Sequence, residues 1–286
     1  MMKICRFTTT GSDARIGMAV DASHLVDLTE AGIRSLSSVL EHDNPLTALS
    51  SVDHRSLPRL AFEDVRFLAP VERQEVWAAG VTYLRSKTAR MEESDFSATA
   101  YDRVYDAARP EIFFKAVADK VVPTAEPVGI RRDARWSVPE PEVALVLSSR
   151  ATIVGYTIGN DMSSRDIEGE NLLYLPQAKV YDRSCSLAPW VLLGSSEAEV
   201  RLAVLRISIT RAGQPVFSGE TSIANIKRGF GELVDYLFRS QQFPHGAVLL
   251  TGTGIVPPDA FTLEEKDIVE IEMPLIGVLR NPVVIV

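Results

Sequence analysis

The chain has 286 residues, of which 46% are hydrophobic and 24% charged, a composition typical of a globular protein with one large domain or a large and a small one. Its formal net charge of −8 argues against a nucleic-acid partner, because such proteins present a basic face. No apolar run approaches the roughly 20 residues of a membrane span, and polar residues interrupt the first segment too early for a signal peptide.

The cysteines and histidines exclude the common zinc patterns. Cys5 and Cys185 lie far apart and form neither a zinc motif nor a disulfide framework, which predicts a reducing, cytoplasmic location. None of the four histidines pairs with another at helical spacing, so a helical zinc site is excluded.

Residues 1–70 predict a small α/β N-terminal domain. Short strands are expected near 3–8, 15–20 and 24–28, and the spacing of Ile33, Leu36 and Leu40 predicts a helix over 31–42. Residues 67–71 are interpreted as a linker, because Pro70 biases its predecessor to extended geometry.

Residues 71–286 are predicted to form a β-dominated main domain, which makes the fold class α+β. A buried strand over 74–82 is followed by a polar stretch near 84–108, a candidate active-site lid for which composition alone favours a solvated surface excursion. The later strands are predicted at 112–114, 143–147, 153–158, 190–193, 205–210 and 269–273. A hairpin turn is expected at 211–214, and apolar spacing predicts a helix over 226–238.

Three carboxylates carry the clearest chemical signal. Glu140 and Glu142 are two residues apart, so in an extended chain their side chains share a face at a separation of roughly 6.6 Å. Asp161 ends the next apolar run. Carboxylates held this close repel one another, and a divalent cation such as Mg²⁺ would relieve the repulsion. The alternative is an edge strand whose exposed glutamates deter aggregation, and the residues alone leave both interpretations open.

Further polar segments follow apolar strands. A dense polar run covers 160–166, Lys179 lies beyond it, and a Thr-Gly-Thr-Gly turn covers 251–254. Such turns expose backbone N–H groups and hydroxyls that suit a carboxylate or phosphate. Each feature is common by itself.

In order, these motifs resemble those of the fumarylacetoacetate hydrolase superfamily. The motifs are Glu-x-Glu, then Gly-Tyr-x-x-x-Asn-Asp-x-Ser-x-Arg-Asp, then the lysine, then Thr-Gly-Thr-Gly, and they span about residues 72–286. Within it, segments 75–77, 101–116, 136–142 and 171–177 are most similar to the branch that dehydrates 2-dehydro-3-deoxy-D-arabinonate. The resemblance implies a mixed β-sandwich roll for the main domain and at least a homodimer.

The resemblance also implies roles for individual residues. Glu140, Glu142 and Asp161 would bind Mg²⁺ (or Mn²⁺, which takes the same oxygen ligands), and Lys179 would face the substrate beside the metal. The turn would hold a substrate carboxylate. The residues expected to contact a small sugar-acid substrate are Gly252, Thr253, Tyr83, Arg85, Ser86 and Lys115. Lys115 could instead pair with Glu111.

One departure bears on the activity. The hydrolases and decarboxylases of the superfamily carry a histidine after the Gly-x-x-Tyr motif, here Gly80 to Tyr83, and Ser86 stands roughly at that position. A hydrolase that needs this imidazole as its general base would lack it. The departure favours dehydration over an acylpyruvate hydrolase or oxaloacetate decarboxylase. A non-catalytic keto-acid sensor is a further alternative.

The implied reaction converts a 2-dehydro-3-deoxypentonate into 2,5-dioxopentanoate. Lys179 is the first candidate for the base that removes a C3 proton, and Glu168 or Glu170 for the acid that assists loss of the C4 hydroxyl. For Glu170 the favoured interpretation is a solvated surface charge. The sequence leaves open whether arabinonate or xylonate supplies the substrate, and whether it has five or six carbons.

Overall fold

The structure, a computed structural model, describes residues 1–84 and 103–286. The strands in these ranges, β1 to β20 in chain order, are Met2–Thr8, Arg15–Ala19, His24–Asp27, Arg59–Ala61, Arg66–Leu68, Glu75–Gly80, Glu111–Ala116, Val121–Val122, Val128–Ile130, Ser137–Val138, Pro141–Leu147, Ile153–Asp161, Ser163–Ser164, Cys185–Leu187, Trp190–Leu193, Val204–Arg211, Gln214–Ser222, Ala247–Leu250, Ile268–Met273 and Gly277–Ile285. The α-helices, α1 to α6, are Leu36–Leu40, Pro45–Ser50, Arg165–Glu170, Leu175–Lys179, Glu197–Arg201 and Phe230–Phe238, and residues 103–106 are also helical. Among these described residues no helix is long and apolar enough to cross a membrane.

A mixed sheet of 13 strands forms the centre of the fold. Its main path is β4-β3-β2-β1-β15-β12-β11-β18-β6-β7, with β5 beside β1, β14 beside β12 and β8 beside β14. Every residue of β11 is buried, because the sheet is covered on both faces. One face packs against the N-terminal helices through side chains such as Val146 and Leu36. The other packs against the second sheet and α6.

The second sheet has five strands in the order β17-β16-β19-β20-β9. The predicted hairpin turn joins β16 and β17, and its central residues, Ala212 and Gly213, have φ values of 50° and 78°. Positive φ at both positions matches the twist of the flanking strands, so this prediction is confirmed. The two mixed sheets confirm the β-dominated α+β class and the roll architecture.

The N-terminal strands continue the central sheet. β1 pairs antiparallel with β15, with Met2 opposite Leu193, so hydrogen bonds connect residues 1–70 to the main domain. The domain division at residue 70 stays a prediction. The linker expected at 67–71 is wrong at its start, because Phe67 belongs to β5, which pairs with β1, and its ring packs 5.2 Å from that of Trp190.

Two predicted helices are shorter than the apolar spacing indicated. Helix α1 begins only at Leu36, because Gly32 has a φ of +85° and ends the preceding 3₁₀ turn, and Ser35 caps the helix through its hydroxyl. Helix α6 begins at Phe230, after Gly229 in extended geometry, and Ile226 follows a separate 3₁₀ turn. The spacing of apolar residues indicates which side chains are buried, but it does not indicate where the helical backbone is interrupted between them.

Candidate metal centre

Strand register brings the three carboxylates together. In the β11–β12 ladder Pro141 lies opposite Asn160, and beyond it the backbone N–H of Asp161 donates to the carbonyl of Glu140 at 2.9 Å. Glu142, two residues on, shares the face of Glu140. The ligand oxygens of the three acids all lie within 4.8 Å of one another. Because β11 is an interior strand between β12 and β18, the edge-strand interpretation is wrong.

Burial makes this cluster costly unless cations balance it. The exposed fractions are 4% for Glu140, 2% for Glu142 and 1% for Asp161. Lys179, the last residue of α4, donates from Nζ to Glu140 Oε2 at 2.7 Å and to Asp161 Oδ2 at 3.2 Å. Arg165 Nε lies 3.4 Å from Glu140 Oε1. These groups neutralise Glu140 and Asp161 more directly than Glu142.

Glu142 shows the electrostatic strain of the cluster. Burial, then the charges of Asp161 and Glu140, raise the pKa of its carboxyl well above the usual range, against the opposing effects of the Gly252 N–H and Lys179. In the metal-free protein, burial and the two neighbouring acids therefore oppose ionisation of this carboxyl. A bound divalent cation would offset that effect. The three carboxylates form an all-oxygen ligand set, which is the set that Mg²⁺ prefers.

The turn after β18 holds Glu142 in place. β18 runs parallel to β6, so both strands end at the same edge, where the Thr82 hydroxyl donates to the carbonyl of Thr251 at 2.6 Å. The N–H of Gly252 donates to Glu142 Oε2 at 2.5 Å. Gly252 has a φ of +92°, and a Cβ added there would lie 2.1 Å from Thr82 Oγ1. Only glycine fits this position.

We expect Gly252→Ala to destabilise the protein by about 1–3 kcal/mol more than Gly213→Ala, because the added methyl has no space. Gly213 is a matched control: its φ is +78°, but nothing lies within 4 Å of an added Cβ. Urea unfolding of both variants measures the difference. Equal losses would mean that the backbone moves to accept the methyl.

The acids line a small pocket. Its volume is about 20 Å³, enough for one ion or water molecule, and Lys179, Glu168, Thr253 and Glu111 also line it. Glu111 folds over Gly80, where an added Cβ would collide with its carboxylate. Of the two candidate acids, Glu168 is 2% exposed and lines the cavity, whereas Glu170 is exposed at the surface.

Two of the four remaining predicted substrate contacts, Tyr83 and Lys115, lie within the described residues, and neither lines the acid cavity. Tyr83 is buried and lines a neighbouring groove with Gly254, outside the lining of the acid cavity. Lys115 is fully buried, and its ammonium pairs with Asp161, not with Glu111 as the alternative had it. Arg85, Ser86 and most of the predicted lid lie outside the described residues. The substrate roles of these residues stay predictions.

Sequence reasoning missed Ser163. Its hydroxyl accepts from Lys179 Nζ at 2.6 Å and donates to the carbonyl of Asp161 at 3.1 Å. The available signal was its position two residues after Asp161, which puts both side chains on one face of an extended chain. Ser163 is thus a third acceptor for the Lys179 ammonium, beside Glu140 and Asp161.

Comparison with known proteins gives consistent matches. A family model described as the fumarylacetoacetate hydrolase C-terminal matches residues 75–284. A relative from Haloferax volcanii, named a probable 2-keto-3-deoxyxylonate dehydratase, is 41% identical over 277 residues, which cover 97% of this chain and 91% of that protein. A 2-dehydro-3-deoxy-D-arabinonate dehydratase from Saccharolobus solfataricus is 37% identical over 289 residues, which cover 99% and 96%.

A solved structure shares the whole fold. It is that of a 2-keto-3-deoxy-D-arabinonate dehydratase complexed with magnesium and 2,5-dioxopentanoate, and it matches with a TM-score of 0.84 at 32% identity. The match covers 100% of this chain and 99% of that chain.

Proposed function

This chain belongs to the fumarylacetoacetate hydrolase family, and we propose that it catalyses the Mg²⁺-dependent dehydration of a 2-dehydro-3-deoxy-D-pentonate to 2,5-dioxopentanoate. The observation that carries the proposal is the buried triad of Glu140, Glu142 and Asp161 with Lys179 beside it, in a fold shared over its full length with a dehydratase that holds magnesium and this product. On this proposal, the chain is a hydro-lyase of sugar-acid catabolism.

The triad would hold the Mg²⁺. When bound, the ion would supply Lewis-acid polarisation of the 2-keto group, which acidifies the C3 protons. The three acids lie on two paired strands, so a rigid ladder sets their relative positions. The Gly252 N–H fixes one oxygen of Glu142 and leaves the other available to the ion.

Lys179 is the proposed base and Glu168 the proposed acid. In its neutral form Lys179 takes a proton from C3, and Glu168 donates a proton to the C4 hydroxyl, which leaves as water. Isomerisation of the resulting hydroxy-enone turns C5 into the aldehyde, so the net change is loss of one water. Burial of both side chains keeps bulk water away from these proton transfers.

The rival activities are acylpyruvate hydrolysis and oxaloacetate decarboxylation. Both would use a histidine at the cavity, and no histidine is among the described residues that line it. The sequence has no histidine between His54 and His245. This composition of the site favours dehydration.

The proposal also covers the oligomeric state, the location, the alternative metal and the source of the substrate. We infer a homodimer or larger homo-oligomer, and a cytoplasmic location in which the free thiols of Cys5 and Cys185 stay reduced. Mn²⁺ would serve in place of Mg²⁺, since the ligands are all oxygens. Both the arabinonate- and the xylonate-derived routes lead to one 3-deoxy keto acid, which suits either relative's named substrate.

The test is turnover of 2-dehydro-3-deoxy-D-arabinonate by the purified protein. We expect 2,5-dioxopentanoate in the presence of Mg²⁺, none after EDTA treatment, and recovery when excess Mg²⁺ is restored. Proton NMR of the reaction mixture identifies the aldehyde directly. Turnover of acylpyruvates or oxaloacetate, with the deoxy acid untouched, would replace the dehydratase proposal with the hydrolase or decarboxylase alternative.

A further inference from the structure

Lys115 is a buried cation that the proposed reaction does not use. Its side chain is 0% exposed, and it is absent from the residues that line the acid cavity. A buried lysine is costly unless its ammonium is fully paired. The position of its partners therefore indicates what it does.

The ammonium of Lys115 joins three segments at the back of the metal centre. It forms an ion pair with Asp161 Oδ1 and donates to the carbonyl of Met162 at 3.0 Å and to the carbonyl of Lys179. Lys179 Nζ contacts the other oxygen of Asp161, Oδ2. The Asp161 carboxylate thus contacts two lysines, one at each oxygen.

The same contacts set the position of the proposed base. Helix α4 ends at Lys179, and the bond from Lys115 to that residue's carbonyl ties the helix end to β7 and to the end of β12. The Lys179 backbone and the Asp161 carboxylate therefore share one anchor. A shift of this anchor would move a metal ligand and the base together.

We propose that Lys115 is a positioning residue that orients Asp161 for the metal and Lys179 for the substrate, in place of the substrate contact predicted from sequence. The role rests on the proposed function for its effect on turnover. Its effect on metal binding is independent of which substrate the enzyme uses.

Loss of the Lys115 charge and loss of its orienting contacts would change the affinity for Mg²⁺ in opposite directions. Removing a positive charge next to Asp161 would by itself strengthen binding of a cation. Loss of the orienting contact would weaken it, and loss of such supporting contacts costs about 10- to 100-fold in metal affinity or activity. The sign of the change in affinity separates a positioning role from simple charge balance.

The experiment compares Lys115→Met with the control Lys120→Met. Lys120 is an exposed lysine on the neighbouring turn. Mg²⁺ affinity is measured by calorimetry without substrate, and kcat and KM are measured for the deoxy keto acid. We expect Lys115→Met to lower both Mg²⁺ affinity and kcat by about 10- to 100-fold, with KM changed far less. The control should match the wild type.

Three results would overturn the proposal: tighter Mg²⁺ binding, unchanged affinity and kcat, or a raised KM with normal metal binding, which would place Lys115 on the substrate. Should Lys115→Met fail to fold, Lys115→Arg decides. A guanidinium does not reproduce the point contacts of an ammonium, so we expect weaker Mg²⁺ binding, and wild-type affinity and kcat would contradict the role. If the wild type leaves the deoxy acid unchanged, the proposed function fails while the Mg²⁺ measurements still test Lys115.

Discussion

Glu142→Gln should abolish Mg²⁺ binding and lower turnover by more than 100-fold. Changes to supporting contacts around a metal already cost about 10- to 100-fold, and this substitution removes a charge from the ligand set itself. Glu142 is 2% exposed and receives the N–H of Gly252, so glutamine takes the same place without the charge. Calorimetric titration with Mg²⁺ and the turnover assay measure the two effects, with the exposed Glu170→Gln as the matched control.

The same substitution should stabilise the metal-free protein. The pKa of Glu142 is raised in the folded state, mainly by burial and then by Asp161 and Glu140. The stability linked to this protonated carboxyl is present at low pH and is lost as the pH rises above the ordinary glutamate range and through the raised pKa. Glutamine cannot ionise and avoids that loss.

Thermal melts in EDTA over a range of pH test this expectation. The wild type should lose melting temperature as the pH rises through the raised pKa of Glu142, and Glu142→Gln should lose less. Normal Mg²⁺ binding by the variant would contradict the ligand role of Glu142. Melting below the wild type at every pH would show that Glu142 is not the strained member of the site. Stability and function conflict at this position because the negative charge that would bind Mg²⁺ is the charge that destabilises the metal-free protein.

Lys179→Met should lower kcat by about 10²- to 10⁴-fold, the usual contribution of a general base, while Mg²⁺ binding is kept or strengthened. The ammonium of Lys179 lies 2.7 Å from Glu140 and 3.2 Å from Asp161, so it competes with the ion for both ligands. Both substitutions should therefore lower turnover, but their effects on Mg²⁺ binding should be opposite. Lys120→Met again serves as the surface control.

Isotope exchange separates the base from the acid. In D₂O, Lys179→Met should fail to exchange the C3 hydrogens of the substrate, whereas Glu168→Gln should exchange them but eliminate water slowly. Proton NMR follows both events in one sample. If Glu168→Gln stops the exchange and Lys179→Met does not, the two roles must be reversed.

The carboxylate cluster was predictable because its three acids are close in the sequence and lie on segments that read as extended strands. A two-residue spacing of glutamates within an extended segment places both side chains on one face, whatever the rest of the fold. Asp161, at the end of the next apolar run, belongs to the neighbouring strand of a simple antiparallel pair. Local geometry and strand pairing together were enough to bring three carboxylates together.

The limits of the helices were less accessible to sequence reasoning than the burial of the candidate acids. The helix expected over 31–42 depended on apolar spacing, and the turn at Gly32 and the cap at Ser35 shortened it. For the two candidate acids, the sequence favoured a surface charge at Glu170, and the structure confirms that Glu170 is exposed while Glu168 is buried. They differ in burial because the short helix α3 turns one toward the cavity and the other toward the surface.

The sequence by itself determined the family and the three acids of the cluster, because these depend on residue type and short spacing, and it left the chemistry of the cluster open. Only the tertiary structure decided which groups Lys115, Ser163 and Gly252 contact. Lys115 contacts Asp161 and the end of α4, and Gly252 contacts Glu142, across separations that no local pattern records. The physical reason is burial: a charged or polar group inside the protein must find partners, and the fold determines which partners are within reach.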